Sequence, residues 1–103
     1  MKTMDLSKLT KEEKINGLFV KGDSQDGEYM RWHENGQLQL HCFFKDMEVT
    51  GEFTKWNKNG QLKKHCFYKT GTLDGEYKLW FDDGQLLQHC FYKEGNIIEE
   101  YLK

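Results

Sequence analysis

The sequence contains no proline, so no residue removes a backbone donor from a hydrogen-bonded ladder. Cysteine is scarce: three in 103 residues, an odd number. That argues against a disulfide scaffold and for a reducing, cytoplasmic setting. The opening stretch, MKTMDLSKLTKEEKING, has no apolar run long enough to form the centre of a secretory signal. No stretch approaches the roughly 18 apolar residues of a membrane-crossing helix. An excess of positive charge is missing too, since the formal net charge is -2. This argues against a general nucleic-acid binder and against an electrostatic membrane binder.

What the chain does have is rings and repetition. Aromatics make up 15% of the residues, which predicts a core built more from rings than from aliphatic side chains. The sequence aligns with itself at a period of 24 without a gap. The units are GEYMRWHENGQLQLHCFFKDMEVT (27–50), GEFTKWNKNGQLKKHCFYKTGTLD (51–74) and GEYKLWFDDGQLLQHCFYKEGNII (75–98). A half unit precedes them at 17–26 and another follows at 99–103. Such a period is the mark of a repeat architecture.

Each unit carries two turn signals. Asn35-Gly36, Asn59-Gly60 and Asp83-Gly84 are hairpin dipeptides of the kind that fills a two-residue type I′ turn. The second signal is less regular: Asp46-Met47, Thr70-Gly71 and Glu94-Gly95. A helix does not survive a breaker every dozen residues. The expected fold is therefore all-β: an antiparallel meander of tandem hairpins, about eight strands, in one elongated twisted sheet. Residues 17–103 form the hairpin-repeat domain. Residues 1–16 form an N-terminal cap segment, where Leu6, Leu9 and the Thr10/Glu13 capping box predict a short helix or cap over the sheet edge.

With two-residue loops the register follows. Lys58 lies opposite Gln61, Asn57 opposite Leu62, Trp56 opposite Lys63, Thr54 opposite His65 and Phe53 opposite Cys66. At the second turn Tyr68 lies opposite Leu73 and Cys66 opposite Gly75. One face then carries Phe53, Leu62, Cys66 and Tyr68 with their counterparts, and is the core face. The other carries Glu52, Trp56, His65 and Phe67 with their counterparts, and is mixed.

The stretch NGQLKKHCFYKTGTLDGEYKLW resembles the variant MORN repeat, in which an Asn-Gly-x-Leu turn leads to a Tyr-Lys-x-Gly turn and then to Leu-x-Gly-x-Tyr. The resemblance covers roughly residues 17–103 and implies an elongated sheet of antiparallel hairpins. Bacterial relatives of this type are linked with antitoxin or immunity roles against partner toxins, and eukaryotic MORN repeats with scaffolding and sometimes phospholipids. This chain departs from the eukaryotic pattern in having fewer glycines per unit and no basic bias.

Three His-Cys pairs, His41-Cys42, His65-Cys66 and His89-Cys90, invite a reading as metal ligands or reactive thiols. Neighbouring strand residues point to opposite faces, so a pair does not share a metal. Successive cysteines sit two strands apart, roughly 10 Å, too far for a disulfide and badly placed for zinc. They read as small core residues. The histidines read as cross-strand partners of glutamates, Glu52 for His41 and Glu76 for His65. No nucleophile–base constellation appears outside the repeat, so a non-enzyme without cofactor or metal is expected.

The sharpest binding candidates are Trp32, Trp56 and Trp80, with Phe43, Phe67 and Phe91. They either pack across strands under a cover or form an aromatic partner surface. Glu28, Glu52 and Glu76 run beside them. The function expected is a non-enzymatic protein-binding module, an antitoxin, immunity or host-defence-inhibitor protein of bacterial or phage origin. It would occlude a toxin or defence enzyme. The alternative is a self-associating scaffold, a homodimer through a bare edge such as NIIEEYLK.

Overall fold

Residues rich in Tyr, Phe, Trp and Leu between glycine turns form strands, and the strands follow the 24-residue period. In a computed structural model, residues 14–15, 18–23 and 25–101 are described. The strands are β1 (Lys14–Ile15), β2 (Leu18–Gly22), β3 (Gly27–Trp32), β4 (Leu38–Lys45), β5 (Glu48–Val49), β6 (Gly51–Trp56), β7 (Leu62–Lys69), β8 (Thr72–Leu73), β9 (Gly75–Trp80), β10 (Leu86–Lys93) and β11 (Asn96–Glu100). All pair antiparallel in one open sheet, β1-β2-β3-β4-β6-β7-β9-β10-β11. The short strands β5 and β8 pair with β4 and β7 and lead into β6 and β9. The all-β meander of tandem hairpins is thus the fold. Lys14 and Ile15 form a strand; the rest of the predicted cap segment lies outside the described residues.

The Asn-Gly turn differs from the expected two-residue loop. The Asn57 N–H donates to the Gln61 carbonyl at 2.8 Å, and the Gly60 N–H donates to the Asn57 carbonyl at 2.9 Å. Asn57 and Gln61 therefore close a three-residue loop, with Gly60 alone at positive φ (90°), a type I turn ended by a glycine bulge. The Asn59 side chain holds it by accepting from the Gln61 N–H at 3.0 Å. The loop is one residue longer than expected, so Trp56 pairs with Leu62, not Lys63. The expected pairs Lys58–Gln61 and Asn57–Leu62 do not form either. A second bulge beside Lys55 and Trp56 absorbs the offset, and Thr54–His65 and Phe53–Cys66 pair as predicted.

The less regular second signal builds the true I′ turns. Asp46 and Met47 both have positive φ (51° and 68°), as do Thr70 and Gly71 (50° and 81°). Tyr68 lies opposite Leu73 as predicted. Beyond Leu73 the register slips by two residues, so that His65 faces Lys78 and Lys64 faces Leu79. Cys66 therefore does not face Gly75, whose cross-strand partner is Tyr92. The slip is taken up at Gly75, with φ of +121°, where an added Cβ would stand 3.1 Å from the Phe67 Cβ. A slip of two preserves every face. At position 99 the repeat carries Glu where Gly75 and Gly51 stand, and there the shift is a single residue, Tyr92↔Ile97 then Phe91↔Glu99.

Both edges are stitched between units. The Met47, Gly71 and Gly95 N–H groups each donate at 2.8 Å to the carbonyls of Gln25, Val49 and Leu73, one unit back. On the other edge the Asn35 amide donates to the Lys58 carbonyl at 2.8 Å. The core is a column of thiols. Cys42, Cys66 and Cys90 are fully buried, each directly opposite a ring: Tyr29, Phe53 and Tyr77. Those rings meet Phe44, Tyr68 and Tyr92 edge-on at centroid distances of 5.4, 5.5 and 5.4 Å. Such pairs are worth about 0.5–1.5 kcal/mol each beyond the area they bury.

Candidate functional site

Strand alternation separates His from Cys, and the register decides which glutamate each histidine meets. The row across the face opposite the thiols reads Met30, His41, Thr54, His65, Lys78, His89. The two-residue slip carries Glu52 past His41 and Glu76 past His65, so the expected inter-unit pairs do not form. Each histidine instead meets the glutamate of its own hairpin. His65 Nε2 lies 2.7 Å from Glu52 Oε2, His41 Nε2 lies 2.7 Å from Glu28 Oε2, and His89 Nε2 lies 3.0 Å from Glu76 Oε2. The His89 hydrogen bond, helped by the positive charge of Lys78, holds the Glu76 carboxyl below its ordinary 4.5.

Phe43 and Phe67 pack on His41 and His65 at ring distances of 5.2 and 5.3 Å. Tyr101 takes that place on His89 at 4.6 Å, since the single-residue shift in β11 brings the Tyr101 N–H to the His89 carbonyl. Phe91 is half-buried opposite Glu76 and Glu99. The predicted Glu and Phe columns therefore do run together, with the imidazoles between them.

The tryptophans are not equivalent. Each pairs with a leucine across the bulge: Trp32 with Leu38, Trp56 with Leu62, Trp80 with Leu86. Directly opposed residues share a side of the sheet, so Leu38, Leu62 and Leu86 belong with the tryptophans rather than with the thiols as predicted. In the first unit the pair is closed, with Trp32 4% and Leu38 1% exposed. In the second and third units Trp56 and Trp80 are half-buried. There the neighbouring Leu62, Phe81 and Leu87 are 40, 48 and 42% exposed.

The repeat pattern placed Leu62 on the core face, where it is instead 40% exposed, and singled out neither Phe81 nor Leu87. Phe81 and Leu87 occupy columns that hold His33 or Asn57, and Gln39 or Lys63, in the other units, and that polar-to-apolar change was the available signal. His33 shows what the column does in the first unit: its Nε2 stands 3.0 Å from the Trp56 carbonyl.

Burial disfavours the thiolate form of all three cysteines. Burial pushes Cys42 and Cys66 up to about 11, against small lowering effects of Arg31 and Lys64. All three cysteines are free. Among the described residues, no group of three or more His, Cys, Asp or Glu side chains is placed to hold a metal ion. The pockets at the turns are shallow and polar, one lined by Lys45, Asp46, Glu48, Thr50 and Thr70. The described residues offer carboxylate–imidazole pairs, flanking rings and an apolar end.

The family model described as the MORN repeat variant matches residues 25–46, 49–70 and 73–94. No curated protein matches the sequence.

Proposed function

The chain belongs to the MORN repeat variant family, and from that premise we propose that it is a non-enzymatic, cytoplasmic protein-binding module. It acts as an antitoxin, immunity or host-defence-inhibitor protein by laying its sheet over a functional surface of a toxin or defence enzyme. The observation that carries this reading is the gradient along the tryptophan–leucine pairs. The same motif is closed at Trp32 and open around Trp56 and Trp80, leaving Leu62, Phe81 and Leu87 uncovered. Exposed apolar side chains beside half-buried rings favour a contact surface, and tryptophan is enriched where binding energy concentrates. The Glu28, Glu52 and Glu76 column with Phe43, Phe67 and Phe91 forms the polar flank of that surface.

The test is capture of a partner from the native host by the full chain beside a W56A/W80A variant. Trp32 is left intact because it is buried. Loss of capture with the fold retained supports the reading, and undiminished capture overturns it. A second reading, self-association as a scaffold, is favoured by β11, all five of whose residues are exposed on the outermost strand of the sheet. Light scattering decides it: a concentration-dependent dimer supports pairing and a constant monomer excludes it.

A further inference from the structure

The two faces of the sheet differ in how their charges are balanced. On the histidine face Glu28, Glu52 and Glu76 are paired with His41, His65, His89 and Lys78. On the thiol face a row of directly opposed residues reads Arg31, Leu40, Lys55, Lys64, Leu79. Among the described residues, none of its three cations lies within salt-bridge distance of a carboxylate. Arg31 Nε is buried and has no hydrogen-bond partner. Lys64 Nζ stands 5.4 Å from the centroids of both the Phe53 and the Tyr77 ring, so its nearest compensation is two π faces. The Lys55 ammonium is held below the ordinary lysine value, first by burial and then by Lys63, Lys64 and Arg31.

Like charges set side by side and half-buried work against folding. Lys55 and Lys64 sit on adjacent strands, about 5 Å apart, and Arg31 lies two strands further, about 10 Å from Lys55. Leu40 separates Arg31 from Lys55, Lys55 and Lys64 are directly opposed, and Leu79 ends the row. A nucleic-acid backbone needs a continuous basic track and a field that attracts it. This row is short, the chain carries net charge -2, and the opposite face holds the glutamate column.

We propose that the thiol face is a second docking surface, for an acidic segment of a partner protein whose carboxylates meet Arg31, Lys55 and Lys64 and whose apolar side chains meet the half-buried Leu79. The surface is separate from the tryptophan–leucine pairs and rests on the reading of the chain as a protein-binding module. The match is one of charge complementarity, which sets orientation and encounter rate more than raw affinity.

The experiment is fluorescence anisotropy on the full chain with three probes: a labelled peptide of mixed Glu and Leu residues, a labelled oligothymidylate, and phosphatidylserine vesicles. The expected result is saturable, salt-sensitive binding of the peptide, weakened at least tenfold in K55E/K64E and unchanged in W56A/W80A. Circular dichroism checks that the variant is folded. If charge reversal unfolds the chain, K55Q/K64Q makes the same comparison. Absence of peptide binding by the wild-type chain, equal binding by the lysine variants, or tighter binding of the oligonucleotide or the vesicles overturns the proposal. Because W56A/W80A reads the other surface, failure here leaves the host-capture result standing.

Discussion

Trp56 lies directly opposite Leu62, and Lys63 is the extra residue of a bulge beside them. The same arrangement joins Trp32 to Leu38 and Trp80 to Leu86. One loop residue more than a tight hairpin thus turns a row of isolated rings into a row of ring–leucine pairs. Their burial then varies from unit to unit.

That variation predicts unequal costs. Trp32→Ala removes an almost fully buried ring and is expected to destabilise the fold by about 3–5 kcal/mol. Trp80→Ala removes a half-buried one and is expected to cost well under that, about 1–2 kcal/mol. Chemical denaturation of the two variants checks the order. Equal costs would mean that the pairs are equally packed.

Gly75→Ala is expected to destabilise by about 1–3 kcal/mol. The position combines positive φ with a Cβ contact of 3.1 Å to Phe67. Gly51→Ala, where φ is +77° and nothing lies within 4 Å, reports the backbone strain alone and is expected to cost less. Thermal unfolding of both variants separates strain from crowding.

Met47 is 67% exposed and sits at φ of 68°, where the later units carry Gly71 and Gly95. Met47→Gly relieves a left-handed conformation that costs a side chain about 1–2 kcal/mol, partly offset by the greater freedom of glycine in the unfolded chain. A net gain of about 0.5–1 kcal/mol is expected, raising Tm by roughly 2–8 °C for a chain of this size. An unchanged or lower Tm counts against the I′ assignment.

The pH response follows from Glu76. Its hydrogen bond to His89 holds the folded-state carboxyl below the ordinary 4.5. Between the two values the unfolded chain binds more protons than the folded one, so stability rises with pH across that window. The contribution is full above about 4.5 and is lost as pH falls through the depressed value. Tm measured through the acid range is expected to fall less steeply for Glu76→Gln than for the wild type.

Thiol labelling reads the core. Cys42, Cys66 and Cys90 are fully buried, and burial pushes Cys66 up to about 11. A disulfide reagent at mildly alkaline pH is expected to leave all three slow in the native protein and fast in denaturant. Rapid labelling of one site in the folded chain would show that its cover opens locally.

The repeat, the strands and the thiol core were legible in the sequence, because alternation fixes faces and glycine turns fix strand ends. Three features were not. Asn59-Gly60 fits either a two-residue I′ turn or a three-residue loop closed by a glycine bulge, and the dipeptide alone does not choose. The slip at Gly75 moves partners by two residues, which leaves face parity intact and therefore invisible to a parity argument. It is this slip that gives His65 to Glu52 rather than Glu76. The basic row was hidden for another reason: Arg31 and Lys55 share a column whose third member is Leu79, Lys64 falls in another column with Leu40 and Gln88, and only cross-strand pairing brings the two columns into one row. Trp32 and Trp80 share a column, so their own positions do not tell the closed ring from the open one; the difference shows only in neighbouring columns, His33 against Phe81 and Gln39 against Leu87.

The bonds from Gly71 to Val49 and from Gly95 to Leu73 join each turn to the unit before it. Coupling of this kind runs between neighbours, so the chain behaves as a one-dimensional array whose stability grows by the unit. A spare copy of residues 51–74 inserted between the second and third units brings its own turn, its own thiol and its own docking carbonyl. The molecule's length is therefore a free variable: whole cassettes can be added or removed while the register of every remaining strand is kept.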